Sequence, residues 1–150
     1  MKIIAKNKTA YFQYSILEEF EAGISLIGHE VKAIKTGRIN IKGSYASIRN
    51  GEMFLIGATI PPYQAKNISK NYSETRDRKL LLKKKEIQYL ADKIEKKGLT
   101  IVPLKVYSVR GKVKIGIGLA KGKKEFDKRA KIRKVTTERE IQRQVKEFNK

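Results

Sequence analysis

K-V-K-I-G-I-G-L-A-K-G-K-K-E-F-D-K-R, residues 112–129, decides how the chain is built. It begins as an alternation, with Val113, Ile115, Ile117 and Leu119 on one face and Lys112, Lys114, Gly116 and Gly118 on the other. That period of two belongs to a half-buried strand. From Lys121 to Arg129 it becomes a run of five cations against two carboxylates, with Phe126 its one large apolar side chain. Such a run cannot bury itself, so the stretch is read as the seam between a folded domain and a tail. Its glycines do not make a phosphate loop: Gly116 to Gly122 encloses five residues, Gly118 to Gly122 three, and Lys124 stands where a P-loop needs Ser or Thr. The dinucleotide spacing fails too, because its third glycine comes one residue late.

Working back from the seam, Leu99–Val109 reads as a partner strand with Val102, Leu104 and Val106 facing one way, joined by a turn at Arg110-Gly111. The bare outer face at Gly116 and Gly118 fits either a sheet bend or the close approach of another backbone such as RNA. Ile87, Leu90, Ala91 and Ile94 recur at helical spacing, with Lys96 and Lys97 at the negative end of the dipole and Gly98 as the left-handed stop. Asn50-Gly51, between Ser44–Arg49 and Met53–Ile60, is a type I′ hairpin signal. Residues 29–35, bounded by Gly28 and Gly37, read as a short helix, and Lys32, Lys35, Arg38 and Lys42 make a basic patch there. His29 is the only histidine and reads as a surface residue. Thr9–Ile27 reads as strand, bend at Gly23, strand, with Glu18, Glu19 and Glu21 as solvated edge charges. Tyr63–Lys79 is a long polar loop in which tyrosines interleave with basic residues, a pattern suited either to stacking on bases or to plain solvation. Met1–Lys8 is expected to be a mobile basic leader.

The sum is about six short strands, one long and one short helix, and a tail. This is an α+β chain, mainly β, whose tight turns favour a small antiparallel barrel like that of oligonucleotide-binding domains. The expected divisions are a leader (1–8), an OB-like barrel (9–125) and a basic tail (126–150), disordered or partly helical until bound. From Lys121 onward there are twelve Lys and Arg against five Asp and Glu. Thr137 and Glu140 are spaced as a capping box, after which Ile141, Val145 and Phe148 share a face.

Composition sets the partner class. Thirty-five Lys and Arg against 15 Asp and Glu give a formal charge of +20, a self-repulsion that calls for a polyanion. Nucleic acid leads, ahead of an anionic membrane surface. No stretch approaches the roughly 18 apolar residues of a spanning helix, so a soluble, cytoplasmic protein without membrane association is expected. The absence of Cys removes thiol nucleophiles, disulfides and zinc fingers together. No catalytic constellation, metal-ligand set or cofactor loop stands out, so the expectation is a binding protein and not an enzyme.

Nearly the whole chain resembles the SmpB family, the protein partners of transfer-messenger RNA (tmRNA, also called SsrA) in trans-translation. The resemblance rests on Asn7-Lys8-x-Ala10, Phe20-Glu21-Ala22-Gly23-Ile24, Gly28-x-Glu30-Val31-Lys32 with Gly37 and Asn40, Ser44-Tyr45, Asn50-Gly51-Glu52, and Pro62-Tyr63. It continues through Arg76-x-Arg78-Lys79-Leu80-Leu81-Leu82, Val102-Pro103-Leu104-Lys105-x-Tyr107 and the run from Gly118 to Arg129. It implies an OB-like barrel that binds the tRNA-like domain of tmRNA, and a tail that occupies the decoding centre of a stalled ribosome beside ribosomal RNA. Elongation factor Tu would be a partner through the RNA complex. By motif, the implied RNA face is Asn7, Glu30, Lys32, Asn40, Lys121 and Lys123, to which Lys114, Gly122 and Lys124 are added as candidates. The implied ribosome contacts are Phe126, Asp127, Lys128 and Arg129, followed by Lys131, Arg133, Arg139 and Arg143. The chain departs from the family pattern at Lys35 (usually Arg), Tyr72 (His), Thr75 (Pro), Phe126 (Tyr or His) and Thr136-Thr137-Glu138. The rival readings are a generic RNA-binding or ribosomal structural protein and, further off, an RNA-modifying enzyme.

Overall fold

Both predicted two-residue turns form, because their central residues take the positive φ that a type I′ hairpin needs: 53° and 75° at Asn50 and Gly51, 51° and 79° at Arg110 and Gly111. They join β3 (Tyr45–Arg49) to β4 (Glu52–Ile56) and β6 (Thr100–Val109) to β7 (Lys112–Gly122). The computed structural model describes residues 1–63 and 70–122. The remaining elements are β1 (Lys2–Lys6), α1 (Lys8–Gln13), β2 (Tyr14–Ile24), α2 (Gly28–Lys35), β5 (Arg78–Leu81) and α3 (Lys84–Lys97).

All pairings are antiparallel and they close on themselves, running β6-β3-β4-β5-β2-β7 and back to β6. The expected small barrel is therefore present. β6 offers one edge to β7 and divides the other, meeting β3 at Ile101 and β1 along residues 105–108. Inside lie Met53, Leu55, Leu80, Ile101, Val106, Ile115, Ile117 and Leu119, to which α2 adds Ala33 and Ile34 and α3 adds Leu90. α3 ends as predicted, on Gly98 at φ 63°.

Three expectations are corrected. Met1–Lys8 is not a free leader: residues 2–6 pair with β6, Lys2 opposite Ser108 and Lys6 opposite Lys105. Thr9–Ile27 is not two strands bent at Gly23. Its start is the six-residue α1, and β2 runs unbroken through Gly23, where a Cβ would lie 3.2 Å from Leu81 Cβ. Nor do Val102, Leu104 and Val106 share a face. The register slips between Pro103 and Lys105, so Val106 enters the main core while Val102 and Leu104 join Ala10 and Ala120 in a second cluster. Tyr14 and Ile16 pack against that cluster.

The two glycines of β7 follow from this layout. A Cβ on Gly118 would come within 2.9 Å of Leu104 and 3.0 Å of Ile16, and one on Gly116 within 3.1 Å of Lys105. Side chains from the flanking strands close over β7, so these glycines are buried and are not a face left bare for RNA.

Candidate nucleic-acid interface

The site-residue expectations divide into interior and surface. Glu30 is fully buried, because α2 turns Glu30, Ala33 and Ile34 inward and leaves Lys32 and Lys35 exposed. Its carboxylate accepts from Arg76 through Nε (3.2 Å) and Nη2, from Arg78 Nε at 2.8 Å and from the Ile27 amide at 2.8 Å. The Tyr72 hydroxyl lies 2.9 Å from both Glu30 Oε2 and Ile60 O. Burial alone would raise the Glu30 pKa; the bonds from Arg76, Ile27, Arg78 and Tyr72 outweigh it and hold the group at about 2. Arg78, also fully buried, directs all five of its N–H groups to acceptors: Glu30, the carbonyls of Ala58, Arg76 and Glu74, and the Tyr72 hydroxyl.

Glu30 is thus an internal hub that fastens residues 72–78 to α2, with no exposed surface at its carboxylate. Of the polar loop, Tyr72, Arg76 and Arg78 face the hub instead of stacking on bases, while Lys70, Ser73, Glu74 and Thr75 are exposed. His29, expected at the surface, is half-buried, its ring edge-on to Tyr72 with centroids 4.4 Å apart.

Asn7 is likewise interior, 4% exposed. Its Oδ1 accepts from the Ala10 amide at 3.3 Å and caps α1, while Nδ2 donates to Pro103 O at 2.9 Å and Ile41 O at 3.4 Å. Both amide ends are used within the fold, so Asn7 joins β1, α1 and β6 and is withdrawn from the surface list. Glu30 and Asn7 look like ligand contacts in sequence because they are polar residues within motifs; position relative to the core, invisible there, decides otherwise.

Asn40, Lys32, Lys114, Lys121 and Gly122 remain accessible. Asn40 Oδ1 accepts from the Lys42 amide at 2.9 Å, which holds the backbone within the basic patch. Lys32, Lys35, Arg38, Lys42, Lys112, Lys114 and Lys121 enter no ion pair among the described residues, where the pairs found are Arg49 with Asp77, Lys79 with Glu52, and Glu30 with its two arginines. Lys121 and Gly122 lie opposite Ser15 and Tyr14 at the end of β7. Lys123, Lys124, Phe126, Asp127, Lys128, Arg129, Lys131, Arg133, Arg139 and Arg143 lie outside the described residues.

One arrangement has almost no signal in sequence. The three β2 carboxylates are not plain edge charges: Glu18 accepts from Tyr89 of α3 (2.7 and 2.8 Å), Glu19 from Tyr11 of α1 (3.4 Å) and Glu21 from Tyr107 of β6 (2.6 Å). Glu21 and Tyr107 sit on strands either side of β7, opposite Gly116 and Lys114 respectively. Burial, then the Glu21 carboxylate, raises the Tyr107 pKa. Among the described residues no helix is long and apolar enough to cross a membrane, and no cluster of His, Cys, Asp and Glu has a metal-holding arrangement.

Comparison with known proteins extends this to nearly the full chain. Residues 4–147 match the family model described as SmpB protein. The SsrA-binding protein of Thermosynechococcus vestitus is 47% identical over 147 residues, covering 98% of this chain and 97% of that protein. That of Thermosipho africanus is 50% identical over 151 residues, covering 100% and 98%. A solved structure described as "tmRNA-SmpB: a journey to the center of the bacterial ribosome" is similar with a TM-score of 0.65 and 46% identity, covering 81% of this chain and 85% of that one.

Proposed function

The chain belongs to the SmpB family, and from that premise we propose that it binds the tRNA-like domain of tmRNA and carries its C-terminal segment into the decoding centre of stalled ribosomes. The observation that supports this most is the full-length likeness to SsrA-binding proteins, joined to a barrel on which Lys32, Lys114 and Lys121 enter no ion pair among the described residues. The barrel supplies phosphate contacts from Lys32, Lys114 and Lys121, with Asn40 beside them, while Gly122 leads into Lys123 and Lys124. Residues 126–150 engage the small subunit through Phe126, Asp127, Lys128 and Arg129, with Lys131, Arg133, Arg139 and Arg143 along ribosomal RNA. Elongation factor Tu delivers the alanylated RNA with which the protein is complexed, the nascent peptide is tagged for degradation, and the protein works in the cytoplasm without covalent chemistry of its own.

The test is binding of the full chain and of a 1–125 truncation to the tRNA-like domain, against an ordinary tRNA, at two salt concentrations, followed by a ribosomal tagging assay. Both proteins should prefer the tRNA-like domain, and only the full chain should support tagging. Equal affinity for both RNAs would reduce the reading to a general RNA-binding barrel, and loss of RNA binding on truncation would remove the division of labour.

A further inference from the structure

Between α1, β3 and β6 lies a slot of about 350 Å³ to which the foregoing gives no task; this is the small end of the roughly 300–1,000 Å³ range of ligand pockets. Tyr14 and Tyr45 both line it, and Tyr45 is 46% exposed. Thr9 and Gln13, one helical turn apart on α1, line it with Thr100 of β6. Asn7 reaches it with both Nδ2 protons given to Pro103 O and Ile41 O and its Oδ1 accepting from the Ala10 amide, so that residue fixes the slot's shape and has no donor left to offer. Exposed lysines adjoin it along the chain or across the sheet: Lys8 precedes Thr9, Lys42 precedes the lining Gly43, and Lys121 is opposite Ser15, next to Tyr14. None of the three is in an ion pair among the described residues.

We propose that this slot takes one unpaired nucleotide of an RNA strand. The base lies on the Tyr45 ring, its edge meets the Gln13 amide and Thr9 hydroxyl, and the flanking phosphates fall to Lys8, Lys42 and Lys121. An aromatic face, free hydrogen-bonding groups and a lysine rim are what an unstacked base needs, whereas a paired base inside an A-form helix cannot enter. The inference rests on the RNA-binding reading and names a subsite for it. The nucleotide comes either from a loop of the tRNA-like domain or from ribosomal RNA beside Gly122, at the end of β7.

The experiment uses the full chain with Tyr45→Ala, Tyr45→Phe and Lys42→Gln, titrated with the tRNA-like domain and, separately, with small ribosomal subunits free of tmRNA, each at two salt concentrations. Tyr45→Ala should weaken one arm about tenfold, the scale of a lost base stack, with no change in salt slope. Tyr45→Phe should restore it, and Lys42→Gln should lower the slope in the same arm by roughly 0.7 to 0.9. The arm affected identifies the source. Wild-type affinity for Tyr45→Ala in both arms, or no rescue by Phe, overturns the slot. If Tyr45→Ala destabilises the fold, the Lys42→Gln slope decides, and an unchanged slope refutes the proposal. A wild-type chain that does not prefer the tRNA-like domain to tRNA refutes the family function instead, a result separable from either.

Discussion

Replacing Glu30 by glutamine keeps the shape of the hub and removes its only negative charge, leaving the fully buried Arg78 guanidinium and its neighbour Arg76 without a counter-ion. Two estimates of the cost agree. Breaking a buried pair on one side costs about 3–5 kcal/mol, and a carboxyl held at about 2 against 4.5 when unperturbed corresponds to about 3 kcal/mol at neutral pH. The sign follows from the folded pKa being the lower: the contribution is complete above pH 4.5 and is lost as pH falls toward 2. Urea unfolding followed by circular dichroism from pH 7 down to pH 2.5 measures both effects. Wild type should lose stability steeply below pH 4.5. Glu30→Gln should start about 3 kcal/mol lower and show that much less loss on acidification. Below its unfolding transition the variant should still bind RNA, because the carboxylate is enclosed. A variant within about 0.5 kcal/mol of wild type, the range of ordinary surface substitutions, with an unchanged acid limb would refute the hub. A folded variant that binds RNA poorly would return Glu30 to the interface.

Gly118→Val should destabilise by about 1–3 kcal/mol in the same assay, the usual cost of overpacking, because even its Cβ meets Leu104 at 2.9 Å and Ile16 at 3.0 Å; a neutral result would mean that the second cluster repacks freely. Asn7→Ala should cost more than the ~1 kcal/mol of a lost N-cap, since the Pro103 carbonyl also loses its donor, and hydrogen exchange should quicken in β1 and α1 before the rest of the barrel.

What could be read from sequence was local. Asn50-Gly51 and Arg110-Gly111 carry their turns in two residues, α3 displays a full apolar stripe and a glycine stop, and β7 alternates cleanly. What could not be read depends on partners far along the chain. β1 is short and lysine-flanked, and what makes it a strand is an edge of β6 about a hundred residues later. α1 is rich in strand formers, Thr9, Tyr11 and Phe12, and only the Asn7 cap marks its start. Pro103, which lacks an N–H, was an available sign that β6 would not keep a strict alternation, and the register slips beside it.

The same distinction sorts the candidate site. Glu30, Arg76 and Arg78 form the strongest polar constellation in the described chain, and it is turned inward, where Arg78 has no donor left for a phosphate. Asn7 is equally occupied. Their work is to fasten α2, the residues before β5, α1 and β1 to the barrel, which sets where Lys32 on α2 and Lys42 beside Ile41 stand. Exposed lysines can meet any polyanion, so charge alone gives attraction without register. Register comes from what carries the charges: lysines on rigid elements, spaced by a saturated interior, present phosphate contacts at fixed separations that a flexible basic segment cannot hold. The buried polar residues therefore act on recognition through geometry, and substituting them should loosen discrimination between RNAs before it removes affinity.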